Sequence, residues 1–276
     1  MNQQLYIEKL TTPKLAIESI DNGAKIFIAM ASGQPPALIE ELGKVIQNET
    51  LVEAKIYYKL SMAPIGEHLL KKEVAERCHL NTFFMTKYDR DAIKNGINDK
   101  KVSLRYIPYH FSELPSVATE DIKIDTIIVA VSPMDKHGYF SFALNNDLTS
   151  TVARKCKKVI VEVNPNLPRV HGESNIHISE VDIVVENKAP LLLVPRGKIT
   201  EKQRVIGHKV ASLIEDNSTI QLGIGGISDA VCEGLEHHKC LGIHTELLSP
   251  ALMDLVKKGV ATGTKKLYIK EKLYLL

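Results

Sequence analysis

Seven short apolar, β-branched runs constrain this chain more than any other feature: Lys25 to Met30, Leu51 to Tyr58, Asn81 to Met85, Val102 to Ile107, Thr126 to Val131, Val159 to Val163 and Val181 to Val185. They show little of the polar alternation of a sheet with one wet face. Strands of that kind are buried on both sides, as in a mostly parallel sheet covered by helices. Segments of helical pattern lie between them. From Pro36 to Gln47, Leu38, Leu42 and Val45 fall at helical spacing after the Pro35-Pro36 pair that sets the first turn. The expected class is α/β, with a mostly parallel sheet in the N-terminal lobe. Pro133 to Asp147 carries Pro133, Gly138 and Asn145-Asn146-Asp147 directly after a strand, the pattern of an irregular loop.

A length of 276 residues exceeds one ordinary domain. Pro190, Pro195 and Gly197 interrupt the pattern between Asn187 and Lys198, which divides the chain into an N-terminal lobe, 1–190, and the start of a second α/β lobe, 191–276. The second lobe restarts the alternation: a helix from about Glu201 to Glu215, a turn at Asp216-Asn217, a strand Thr219 to Leu222, a glycine turn, a helix from Ser228 to about Glu236 and a strand Leu241 to Thr245.

Charge and cysteine usage exclude several classes. The formal net charge is +2 with Lys and Arg spread along the chain, so no basic stripe for nucleic acid is formed. The four cysteines, Cys78, Cys156, Cys232 and Cys240, have at least seven residues between neighbours, which fits neither a metal knuckle nor a dense disulfide framework. No metal site is expected. Met1 to Leu10 has no apolar core of a leader, and no run is long enough to cross a bilayer, so the expected location is the cytoplasm.

Chemistry concentrates at Gly223-Ile224-Gly225-Gly226-Ile227. Glycines between a strand and a helix let backbone approach a ligand and leave N–H groups pointing outward. Ser228 or Asp229 is positioned to cap the following helix. A tight βα turn that binds nothing has the same glycines. Dinucleotide binding also stays open, although G-x-G-G departs from G-x-G-x-x-G. Glu246 ends the next strand on the edge that the glycine turn faces, where a carboxylate can serve as a covalent nucleophile; a solvated glutamate at a strand end is the plainer alternative. His244 lies two residues earlier, on the same side of a regular strand, and reads as a core histidine before an acid or base.

Taken together, Gln221 to Val231 and Leu241-Gly-Ile-His-Thr-Glu-Leu-Leu-Ser249 resemble the acetyl-CoA hydrolase/transferase family, most closely its 4-hydroxybutyrate and butyryl-CoA:acetate CoA-transferase branch. Pro35-Pro36-Ala37-Leu38, Val131-Ser132-Pro133-Met134-Asp135 with Gly138, Val161-Glu162-Val163-Asn164 and His177 to Asp182 extend the resemblance over nearly the whole chain. It implies that Glu246 forms a glutamyl-CoA thioester in a ping-pong reaction, with Gly223, Ile224, Gly225, Gly226 and Ile227 against coenzyme A. It also implies that coenzyme A acts as a substrate and not as a bound cofactor, that a short carboxylate such as acetate is the acceptor, and that copies self-associate. Gln34 and Ser132-Pro133 are carried over as acyl-pocket residues. A hydrolase of the same fold and an inactive remnant are the alternatives.

The sequence departs from the family in places. No second glycine motif of the form G-x-G-G-Q-x-D follows Glu246, Leu267 to Leu276 leaves the family pattern, Ser228 replaces a usual Pro, and Pro250-Ala251 replaces a usual Asp-Gly. The second lobe is therefore expected to be truncated, with unpaired strand edges and a need for a companion polypeptide.

Overall fold

The computed structural model describes residues 2–99, 103–194, 196–264 and 274–275. The strand start expected at Val102 and all of the departing segment Leu267 to Leu276 except residues 274–275 lie outside the described residues. Two compact units are formed, Met1–Leu193 and Val194–Leu276.

Among the described residues of the first unit the first nine of ten strands are β1 (Leu10–Thr11), β2 (Lys25–Ile28), β3 (Lys55–Tyr58), β4 (His79–Thr82), β5 (Leu104–Tyr106), β6 (Thr126–Val131), β7 (Tyr139–Ser141), β8 (Lys158–Val163) and β9 (Asn175–His177). The tenth is β10 (Ile183–Glu186). Eight of them form one sheet in the order β1-β10-β8-β6-β2-β3-β4-β5, every pair parallel. The helices are α1 (Asn2–Lys9), α2 (Pro13–Glu18), α3 (Pro36–Gln47), α4 (Ala63–His68), α5 (Lys72–Ala75), α6 (Lys87–Lys94), α7 (Leu114–Ser116, running into a π-helical turn Val117–Asp121) and α8 (Thr149–Lys155).

The missing alternation has a direct cause. Ile26, Ile28, Ile56, Tyr58 and Leu80 face one core with Ile17, Leu38, Leu42 and Ile46 of α2 and α3. Phe27, Tyr57, Ile127, Val129, Val131 and Val161 face the other, with Tyr6, Val117, Phe140 and Val152. Successive side chains thus enter opposite but equally dry layers, and all six residues of β6 are buried.

Some sequence expectations are corrected. The Leu51 run becomes strand only from Lys55, because Glu53 takes a left-handed φ of 57° that breaks extended backbone. Pro133 to Asp147 is not wholly irregular: β7 pairs antiparallel with β9 as a small ribbon, Phe140 opposite Ile176. The two-residue β1, too short to show a period, extends the sheet beyond β10.

The second unit contains α9 (Glu201–Ala211), β11 (Thr219–Ile220), α10 (Gly226–Gly234), β12 (Gly242–Thr245), α11 (Pro250–Lys257) and β13 (Tyr274–Leu275). The three strands form a parallel sheet in the order β11-β12-β13, so β12 has a neighbour on each side, contrary to the expected lack of neighbours. Helix α9 stops at Ala211, short of Glu215, and β11 stops at Ile220, short of Leu222. A Cβ added at Gly207 would come within 2.5 Å of the Ala230 backbone, and one at Gly234 within 2.7 Å of the Ala211 Cβ. These two glycines let α9 and α10 pack closely. Pro250 stands at the first turn of α11, where its missing N–H costs nothing, and Ser249 caps that helix by accepting from Leu252 N at 3.2 Å.

Candidate active site

In an open parallel sheet, ligands sit at the carboxyl ends of the strands where the strand order reverses. In the first unit the chain runs from β2 outward through β3, β4 and β5, then crosses back to β6, β8 and β10. The reversal lies between β2 and β6, so the loops leaving those two strands, with Gln34 and Ser132-Pro133, occupy it.

Gln34 is buried, its Nε2 donating to Leu60 O at 3.2 Å and its Oε1 accepting from Met62 N at 3.3 Å. Ser132 is also buried, and its Oγ accepts from Ser141 N at 3.0 Å. Both side chains therefore build the loops. Pro133 is exposed and borders a cleft of about 580 Å³ with Tyr6, Met134, Val163, Glu186 and Lys188. Backbone strain marks the same region: Ala31 and Leu60 hold φ of 45° and 48°, and Ala31 N donates to Leu60 O at 3.2 Å.

Two charged groups here carry weak sequence signals. Glu162, the one acid of the Val159 to Val163 run, is fully buried in β8, where burial pushes its carboxyl up to about 7 against the opposing pull of bonds from Asn187, Leu38 and Ala37. Lys59 forms a buried ion pair with Asp147, 88 positions later in the sequence, and no local pattern announces it.

In the second unit, residues 223–225 connect β11 to α10, and Gly226 and Ile227 are the first residues of that helix. Gly225 is the N-cap of α10 with φ 125°, a conformation that glycine alone adopts freely, and no side chain caps the helix. The expected caps are thus corrected: Ser228 and Asp229 lie inside the first turn, where the acidic Asp229 complements the helix dipole. A Cβ at Gly225 would meet nothing within 4 Å, and one at Gly223 only Ser228 Oγ at 4.0 Å. Among the described residues internal packing requires neither glycine, and none of them fills the space over the two. Gly226 differs, since its Cβ would strike the Gln203 amide at 2.6 Å. Ile224 and Ile227 flank the turn, 69% and 46% exposed.

Glu246 follows β12 immediately and is exposed. The register pairs Thr219 with Gly242 and Ile220 with Ile243, and the two segments run on side by side beyond the paired residues as far as Leu222 and Thr245. A hydrogen bond from Thr245 Oγ1 to Leu222 O at 3.1 Å fixes that relation. Carboxylate and glycine turn therefore leave adjacent strand ends on one edge. His244 is exposed like Glu246, whereas Ile243 and Thr245 are buried, so the core-histidine reading of His244 is corrected. Burial pushes the Cys156 and Cys232 thiols up to about 12, so neither supplies a thiolate at neutral pH. Among the described residues no group of three or more His, Cys, Asp or Glu side chains could hold a metal ion, and no helix is long and apolar enough to cross a membrane.

Comparison with known proteins places this geometry. A 4-hydroxybutyrate coenzyme A transferase of Clostridium kluyveri is 38% identical over 265 residues, 96% of this chain and 59% of the relative. A succinyl-CoA:cyclohexane-1-carboxylate CoA transferase of Geobacter metallireducens is 34% identical over 261 residues, 95% of this chain and 57% of the relative. The crystal structure of RipA from Yersinia pestis superposes with a TM-score of 0.94 at 38% identity, over 99% of this chain and 64% of that one. The chain thus spans somewhat more than half the length of the curated relatives it matches. Residues 1–195 match the acetyl-CoA hydrolase/transferase N-terminal domain, and the chain belongs to the acetyl-CoA hydrolase/transferase family.

Proposed function

We propose that this chain carries the nucleophile and the coenzyme A cradle of a CoA-transferase. It would move CoA between a short-chain acyl-CoA, 4-hydroxybutyryl-CoA or butyryl-CoA, and a carboxylate such as acetate. The observation that carries the reading is the placement of the exposed Glu246 one residue beyond β12, beside a glycine turn whose Gly223 and Gly225 no described side chain covers.

A Glu246 oxygen attacks the acyl carbonyl carbon, the C–S bond breaks, and CoA leaves as its thiolate to give a mixed anhydride. The thiolate then attacks the glutamyl carbonyl, expelling the acyl group as a free carboxylate and leaving an enzyme-CoA thioester. An acceptor carboxylate repeats these steps in reverse and regenerates Glu246. No electrons are gained or lost, and the thioester energy passes to the product. Backbone N–H groups of the turn would hold developing oxyanion charge, worth about 3 kcal/mol per well-placed donor. Coenzyme A comes and goes as a substrate in this scheme. A nicotinamide dinucleotide fits less well, since Ser228 stands where the third glycine of its fingerprint belongs.

Incubating the full chain with butyryl-CoA and mapping peptides by mass tests the reading. A CoA adduct on the Glu246 peptide, absent in Glu246→Ala, is expected. Release of butyrate in step with acetyl-CoA only when acetate is present marks a transferase, and acetate-independent release of free CoA marks a hydrolase. Absence of any adduct on the folded chain overturns the nucleophile assignment for this chain.

A further inference from the structure

Helix α3 begins just after the reversal-point loop, and it begins without a cap of its own. Pro35 occupies the N-cap position and offers no side-chain acceptor. Pro36 has no N–H, so the first-turn donors that need partners are those of Ala37 and Leu38. One carboxyl group from another element faces both: Glu162 Oε2 accepts from Leu38 N at 3.0 Å, and the neighbouring Ala37 N–H adds to the pull that favours its charged form. Its other oxygen, Oε1, accepts from Asn187 Nδ2 at 2.7 Å.

Glu162 lies in β8 with Ala130 of β6 on one side and Val185 of β10 on the other. It is fully buried, and no ion pair reaches it among the described residues. An uncompensated carboxyl group at such depth is costly, and an apolar residue would suit a strand of this composition better. Its hydrogen bonds from Leu38 and Asn187 show what is gained. They join the start of α3, the centre of the sheet and Asn187, which itself donates to Val163 O at 3.0 Å. The loop before α3 is held further by Ser32 Oγ donating to Leu192 O at 2.9 Å and by the Gln34 side chain on Leu60 and Met62.

We propose that Glu162 is a positioning residue: it supplies from β8 the N-cap that Pro35 withholds, and so fixes the reversal-point loop Ser32–Pro35 and the segment after Asn187 in one arrangement. The link of this loop to acyl transfer rests on the function proposed above. The positioning itself does not, and it is judged apart from turnover.

The test is amide hydrogen exchange on the full chain, resolved to the Ala37 and Leu38 amides, for the wild type, Glu162→Gln and the double variant Pro35→Ser/Glu162→Gln. Glu162→Gln keeps one neutral acceptor oxygen where the carboxyl group offers two, to Leu38 N and to Asn187 Nδ2, so the amide NH₂ must face one of these donors; exchange at Ala37 and Leu38 is expected to rise about tenfold while β2 and β6 keep their protection. Pro35→Ser places a hydroxyl at the N-cap and is expected to restore most of the lost protection. Unchanged exchange in Glu162→Gln overturns the proposal. So does a loss spread evenly over the sheet and not repaired by Pro35→Ser, which would make Glu162 a packing residue only. If Glu162→Gln does not fold, Asn187→Ala with the same readout replaces it, and protection unchanged at residues 32–38 overturns the proposal. An active wild type whose acyl-transfer kcat falls in Glu162→Gln and recovers in the double variant extends the role to turnover. A wild type that transfers nothing defeats the function proposed above and leaves the exchange result to stand alone.

Discussion

Thr245 donates its hydroxyl hydrogen to the carbonyl oxygen of Leu222 at 3.1 Å, so the residue before Glu246 is bonded to the residue before Gly223. The same oxygen lies 3.3 Å from Leu247 O, and Thr245 is fully buried. Thr245→Val keeps the shape and removes the hydroxyl, leaving a carbonyl without its partner at a cost of about 1–3 kcal/mol. Urea denaturation of the two proteins measures that cost. The rate of CoA adduct formation on Glu246 is expected to fall further than the stability loss explains, because the two strand ends are no longer held in register.

The glycines of the second unit separate by what surrounds them. Gly223→Ala meets open space and is expected to leave the thermal midpoint nearly unchanged while weakening coenzyme A binding, as measured by calorimetric titration. Gly225→Ala forces a side chain to φ 125° and is expected to cost about 1–3 kcal/mol even without ligand. Gly207→Ala drives a methyl group into the Ala230 backbone and is expected to destabilise the α9–α10 pair most, with no ligand-specific effect in the protein that remains folded.

Burial lifts the Glu162 carboxyl to about 7 from an ordinary 4.5, against the downward pull of its hydrogen bonds from Asn187, Leu38 and Ala37. The unfolded chain therefore gives up this proton at lower pH than the folded one. The contribution to stability is complete below about pH 4.5 and is lost as pH rises towards 7, on the order of 3 kcal/mol in total. Denaturation midpoints at pH 5 and pH 7.5 are expected to differ in that direction for the wild type. The difference should shrink in Glu162→Gln, which does not titrate; an equal difference in both proteins would assign it to other groups.

The sheet was legible because its two faces are equally dry, which removes alternation from every central strand, as in β6. Both-face burial cannot be imitated by a surface segment. Exact strand ends were not legible, since backbone features such as the left-handed Glu53 decide them. At the site, glycine spacing placed the turn, yet the sequence could not say which glycines face open space. That depends on Gln203 and Ala230, which fill the space beside Gly226 and Gly207 and leave Gly223 and Gly225 clear. Glu162 left a trace as an acid in an apolar strand, but its partners Leu38 and Asn187 lie 124 and 25 positions away. Lys59 and Asp147 left none.

That last pair supports a prediction of its own. Lys59 and Asp147 are ion-paired with 3% of each side chain exposed, and Lys59 Nζ also lies 3.8 Å from the centroid of the Phe111 ring. Lys59 leaves the end of β3 and Asp147 precedes α8, so the pair ties together two loops at the carboxyl edge of the first sheet. Each charge is tolerable there because the other is present. Removing one, in Lys59→Met or Asp147→Asn, takes its ion-pair partner from the other in a dry site and is expected to cost about 3–5 kcal/mol. Removing both, in Lys59→Met/Asp147→Leu, takes away the attraction and the desolvation cost together. The double variant is expected to be more stable than either single one, with a coupling energy of about 3 kcal/mol from a double-mutant cycle by urea denaturation. Additive losses would show that the two side chains act independently and that packing against Phe111 holds Lys59 in place.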